Sequence, residues 1–262
     1  MKFFVTSLFL TVIIFLSDFH QVNAGRSDYS RLRSTETFTA ISVYSGITLQ
    51  ISQGTSNKVL VEGNPDDVEN IVTEVKNGTL HIYRKNCALF NIGFLKRCTV
   101  HVTIKNLEAL DASSGTEVNG NNSFGGTEFI LYCSSGSKIN MDLHYRKIKA
   151  DVSSGSKLCL KGAAEFFEVS VSSGSELDAI RLTARKIYAE VSSGGEVSIW
   201  ATDELKANAS SGGDIEYKGN PRLLEINKSS GGKIRSNTLS KNNYFCPSNW
   251  KVPDYRDFFL LS

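Results

Sequence analysis

The sequence predicts an all-β protein whose body is a right-handed parallel β-helix solenoid, with two main strands per coil, about 19 residues per coil and Ser-Ser-Gly turns. The first observation is a repeat: Ser-Ser-Gly recurs with its first serine at Ser113, Ser134, Ser153, Ser172, Ser192, Ser210 and Ser229, at intervals of 21, 19, 19, 20, 18 and 19 residues. The second is alternation around it, because a strand turns every second side chain to the same face. Reading back one, three and five residues from each first serine, and forward three and five from each glycine, every position is apolar except Glu108, Gly120, Lys228 and Ser236, in a chain only 40% hydrophobic. The third is where those exceptions fall: all belong to the first or last repeat, where a stacked core loses its cover. A leucine-rich repeat has a similar period but needs an LxxLxL pattern that is absent, and an antiparallel meander would not bring equivalent serines to one edge in every coil. The right hand follows from the usual crossover rule.

Residues 1–24 put Lys2 ahead of an apolar run from Phe3 to Leu16 and end on Val22-Asn23-Ala24, the layout of a secretory signal peptide cut before Gly25. The run is shorter than the roughly 20 residues a spanning helix needs. Residues 25–36 read as a linker, and 37–105 as the β-rich N-terminal part. Within it, Thr37 to Tyr44 and Ile47 to Ser52 alternate as strands around Ser45-Gly46, and Lys58 to Glu62 continues the pattern. Pro65 to Ile71 reads as a short helix with proline and acids at its start. Asn77-Gly78 signals a tight turn between Ile71-to-Lys76 and Thr79-to-Arg84. This part is expected to cap or begin the solenoid.

Residues 106–240 carry the repeats. Each coil is expected to hold two strands of about five to seven residues, joined by Ser-Ser-Gly at one edge and by a polar turn such as His144-Tyr145-Arg146-Lys147 at the other. Gly115, Gly136, Gly155, Gly174, Gly194, Gly212 and Gly231 are the structural turn positions, supplying positive φ, while the small serines let successive turns stack. The tail, 241–262, breaks the pattern with Pro247 and Pro253 and is expected either to cover the open end or to be loose.

Lysine and arginine number 29 against 27 acidic residues, so a net charge of +2 gives no reason to expect nucleic acid or an anionic membrane as partner. No stretch after the leader is long and apolar enough to span a bilayer. Cys87, Cys98, Cys133, Cys159 and Cys246 are an odd number in an exported chain, so at most two bridges form. Cys87 and Cys98 are placed to staple the Ala88-Leu89-Phe90 excursion between them. None of the spacings is CxxC, which argues against a zinc ribbon or a thioredoxin-like site.

Four stretches together carry a family resemblance: the head FTAISVYSGITLQISQG, the block VEGNPDDVENIVTEVKNGTLHIYRK, the approach VHVTIKNLEALDASSG, and the serial Ser-Ser-Gly turns. With them the chain resembles the head GIN domain family, the "putative auto-transporter adhesins", over about Thr37 to Asn237. The resemblance implies a pectin-lyase-like β-helix without a recognised catalytic set, found chiefly in exported proteins of Gram-negative bacteria. The role it implies is adhesion. It implies nothing about the tail.

Stacking turns columns of sequence into lines on a surface. Two residues after the glycines stand Glu176, Glu196 and Asp214, three acids in adjacent coils and a candidate calcium site, with a solvated edge as the plain reading. Four before the serines, Lys149 with Glu168 and Lys206 with Glu225 suit cross-strand ion pairs. Asp111 and Asp151 share an outward column two coils apart with Tyr132 between them, the nearest approach to a glycosidase pair. There is no GxSxG or HExxH, and no phosphate loop. Tyr132, Tyr188 and Trp200 point outward as candidate ligand contacts, the tyrosines on one sheet and Trp200 on the other. The expectation is an exported, non-enzymatic adhesin or glycan-binding protein without an obligatory cofactor, whose partner is a surface glycan or a host or envelope protein. A carbohydrate-active enzyme (polysaccharide lyase or hydrolase) and a structural envelope protein are the alternatives.

Overall fold

Residues 29–85, 98–237 and 246 are described by a computed structural model. The signal peptide, Cys87 and most of the tail lie outside those residues. Seven stacked coils of about 19 residues form a parallel β-solenoid, as the repeat predicts. After the short β8 (Ala109–Ala112), the strands β9 (Glu117–Cys133), β10 (Lys138–Val152), β11 (Lys157–Val171), β12 (Glu176–Val191) and β13 (Glu196–Ala209) each run from one Ser-Ser-Gly turn to the next. They pair in parallel, in register along both halves. The half leaving each turn belongs to one wall, the post-turn sheet, and the half approaching the next turn to the other, the pre-turn sheet.

The expected polar turn between the two halves is absent, and this corrects the sequence reading. Ladder pairing continues straight through Leu143, His144 and Tyr145. Tyr145 is buried, with its hydroxyl donating to the Leu107 carbonyl oxygen at 2.7 Å. The chain bends instead by register shifts, as between Cys159 and Lys161 and between Ala179 and Thr183, which keep backbone pairing while changing strand direction.

At the Ser-Ser-Gly edge, positive φ is taken by the second serine as well as by the glycine, for example Ser154 at 57° and Gly155 at 70°. From Gly115 to Gly212, each turn glycine N–H donates to the carbonyl of the second serine one coil on, as from Gly155 to Ser173 at 3.1 Å, so the turns form their own ladder. In the earlier coils the next residue is a buried Thr116, Ser137, Ser156 or Ser175, and in three of these the hydroxyl folds back onto the first serine's carbonyl. In the later coils it is Gly195, Gly213 or Gly232, where a Cβ would lie within 2.9 Å of a neighbouring backbone oxygen.

Ser45-Gly46 is one more turn of the same kind. Its φ angles are 72° and 64°, and Gly46 donates to Ser114 at 3.0 Å. β2 (Ala40–Val43) and β3 (Thr48–Gln53) flank it and pair in parallel with β8 and β9, a further coil that residues 54–108 separate from its neighbour in sequence. β6 (Thr79–Arg84) and β7 (Thr99–Ile104) add a rung below it. β4 (Lys58–Gly63) and β5 (Ile71–Lys76) then pair antiparallel to β7 and β6. β1 (Tyr29–Arg33), in the segment read as linker, closes that edge antiparallel to β4. α1 (Pro65–Asn70) joins β4 to β5 and buries Val68, so this end is capped.

The opposite end is open among the described residues. β14 (Asp214–Lys218) and β16 (Lys233–Ser236) finish the post-turn sheet, and β15 (Leu223–Lys228) the pre-turn sheet. Every residue of β15 is exposed, including the core-register Leu224 and Ile226, whereas the equivalent apolar positions of the preceding coils are buried. The tail comes back to the side of the solenoid rather than its end at the one point described. Cys246 is buried on the outer face of the post-turn sheet, bonded to Cys159 across 87 residues, and its N–H donates to Asp178 Oδ2 at 3.3 Å. That cover explains why the outward positions Cys159 and Asp178 are buried. Cys98 and Cys133 are buried free thiols, so the Cys87–Cys98 staple is not formed.

Candidate functional site

The pre-turn sheet carries its chemistry on the outer face, where register sets the columns. The column six residues before each serine runs Glu128, Lys147, Phe166, Lys186, Glu204, Leu223. Two residues on, it runs Ile130, Lys149, Glu168, Tyr188, Lys206, Glu225. Phe166 and Tyr188 are therefore diagonal neighbours on β11 and β12, 37% and 40% exposed although both rings are large and apolar. They wall a groove of about 490 Å³ that Arg146 and Lys147 bound on one side and Glu204 and Lys206 on the other.

Charges inside the groove are largely paired. Lys149 Nζ lies 2.9 Å from Glu168, and Lys206 Nζ 3.6 Å from Glu225, the two cross-strand pairs expected from the sequence. Lys147 pairs with Glu128 at 3.0 Å and Lys186 with Glu204 at 3.5 Å. The Lys186 ammonium also sits 5.6 Å from the centre of the Phe166 ring. Tyr188 donates its hydroxyl to Glu190, and that bond to a carboxylate holds the phenol above its ordinary pKa. The side chain is thereby oriented with one edge anchored and its face free.

Of the aromatic candidates, only Tyr188 lines this groove. Tyr132 is 46% exposed on the same sheet but three coils away, between Asp111 and Asp151 in register. Trp200 lies on the post-turn sheet, with the Lys218 ammonium 3.8 Å over its ring, so one of its faces is already covered. Phe166 is the residue that sequence reasoning missed. Its signal in the sequence is the column six residues before each first serine, where Phe166 stands among charged neighbours.

Glu176, Glu196 and Asp214 are in register in adjacent strands, as the repeat predicts. The outer two are engaged, Glu176 with Lys157 at 2.7 Å and Asp214 with Arg235 at 2.7 Å. No cluster of three or more metal-ligating acid, histidine or cysteine side chains is formed among the described residues. Asp111 stands beside Ser42, with Ser42 Oγ 3.5 Å from its carboxylate, and Ser42 is in register with His81 on its other side. Burial lifts the Asp111 carboxyl above its ordinary pKa, opposed by the Ser42 hydroxyl and by His81.

Residues 37–221 match the family described as "Putative auto-transporter adhesin, head GIN domain". The chain belongs to the head GIN domain family. Solved structures share its fold. A putative adhesin from Bacteroides fragilis is 18% identical with a TM-score of 0.72, the match covering 80% of this chain and 97% of that one. A putative lipid binding protein from Parabacteroides distasonis is 18% identical with a TM-score of 0.65 over 81% and 97%. A putative adhesin from the same organism is 22% identical with a TM-score of 0.62 over 80% and 96%. No curated protein matches the chain. As a head GIN solenoid it presents two long ladders, and the groove at Phe166 and Tyr188 breaks the evenness of one of them. No helix among the described residues is long and apolar enough to cross a membrane.

Proposed function

We propose that this head GIN protein is an exported, non-enzymatic adhesin that binds a surface glycan through the outer face of its pre-turn sheet. The observation that carries the reading is the pair of half-exposed aromatic rings, Phe166 and Tyr188, held side by side in a groove edged by charged groups. Aromatic faces stack on the apolar faces of sugar rings, and the fixed polar groups around them orient hydroxyls. The rigid ladder beneath supplies preorganisation, so little ordering cost is added on binding. The family description and the adhesins among its structural neighbours agree with a surface role. The leader-like first 24 residues agree with export.

The test is a glycan panel offered to purified residues 25–262, read both for retention and for released product by mass spectrometry. Retention without product is expected, weakened about tenfold or more by Phe166→Ala or Tyr188→Ala. Shortened or unsaturated sugars would overturn the non-enzymatic reading. They would favour the second one, a carbohydrate-active enzyme, in which Asp111, raised by burial and flanked by Ser42, is the group to change next.

A further inference from the structure

Once the pairs in the groove are counted, one charge is left over. Each carboxylate in its wall is engaged, Glu168 by Lys149 and Glu204 by Lys186. Of the cations in the wall, Lys147, Lys186 and Lys206 each have an acidic partner. Arg146 has none among the described residues. The flanking pairs Tyr145–Ala164 and Lys147–Phe166 place Glu165 beside Arg146, yet Glu165 makes no ion pair with it and does not line the groove. Arg146 is exposed on β10, in the groove wall formed also by Lys147 and Phe166.

A guanidinium presents a planar fork of donors that matches a carboxylate, and it is more weakly hydrated than an ammonium, so it gives up water at lower cost. Beside it, the two rings offer apolar faces. Resting on the glycan-binding reading above, we propose that the groove selects an acidic saccharide, a pyranose ring bearing a carboxylate, with the carboxylate on Arg146 and the ring against Phe166 and Tyr188. A neutral sugar would use the rings but leave the unpaired cation unused. A cationic one would meet it directly. The neighbouring lysine–glutamate pairs add hydrogen-bonding partners for hydroxyls without adding net charge.

The experiment compares homogalacturonan oligosaccharides with their fully methyl-esterified counterparts, which keep the ring and lose the charge, on the full chain without its leader. Calorimetry at two salt concentrations reads both. The acid is expected to bind about tenfold or more tightly than the ester, the size of a charge-assisted contact, and to weaken with salt. Arg146→Gln should abolish that preference while leaving ester binding within about twofold, which an unfolded variant could not do. Tyr188→Ala should weaken acid and ester alike. Equal binding of acid and ester by the wild-type protein would overturn the charge selection and leave glycan binding standing. Retention of neither would overturn both, and a preference that survives in Arg146→Gln would overturn the assignment to this residue.

Discussion

Two successive residues in the left-handed region make each turn, and the two are not equivalent. The glycine φ near +70° costs an alanine strain but no clash, because nothing lies within 4 Å of where a Cβ at Gly155 would point. Gly155→Ala is therefore expected to cost only about 1 kcal/mol by urea denaturation. Gly162, in the bend, has φ +117° and a Cβ position 2.1 Å from the Leu143 carbonyl oxygen, so Gly162→Ala should cost about 3 kcal/mol or more. The buried thiols set a pH dependence. Burial pushes the Cys98 thiol up to about 11 and the Cys133 thiol up to about 12, from an ordinary 9.0. The unfolded chain thus loses these protons first, and the stability they support is full below pH 9 and falls as pH rises through 11 to 12. In a Cys87→Ser background, a thiol reagent at pH 8 should label neither residue until urea unfolds the protein. The acidic column carries a prediction of its own. With Lys157 and Arg235 already on its outer members, changing Glu176, Glu196 and Asp214 to their amides should leave a calcium titration unchanged.

Between coils, the link of Cys246 to Cys159 closes a span of 87 residues across β11 to β16. Removing it with Cys246→Ser is expected to lower stability by about 2–4 kcal/mol, and reductant should bring the wild type to the same urea midpoint while leaving the variant unmoved. This contact was not legible in the sequence. Cys159 alternates as an outward residue, and nothing in spacing alone says that a tail will cover it. The coils were legible because burial imposes a period, and the prediction held for Leu158, Val169, Val171 and their equivalents. The bends were not, since His144-Tyr145-Arg146-Lys147 looks like a polar turn while Tyr145 is drawn inward by the Leu107 carbonyl. The coil at Ser45-Gly46 escaped for a different reason: an insertion hides its period although its geometry matches. At the groove, Tyr188 was legible as an outward aromatic, but its pairing with Phe166 depends on register between neighbouring strands.

Taken as a whole, the solenoid is asymmetric. One end is sealed by α1 and antiparallel strands, the other finishes on β15 with Leu224 and Ile226 exposed. Stability in a stacked array is a sum over coils and their interfaces, so protection should be highest in β10 to β12 and lowest in β15 and β16. Amide hydrogen exchange resolved by segment checks this, and equal protection of β15 and β11 would show that the open end is covered. The link at Cys246 has a mechanical consequence as well. If the protein holds one surface to another as proposed above, tension entering from the C-terminal side of Cys246 crosses to β11 through the sulfurs instead of through the last coils. The chain between them, a sequence separation of 87, is left out of the line of force, about 300 Å of extended chain that lengthens only if the bond is reduced. The exposed final coil, the weakest by burial, would then lie outside that line of force.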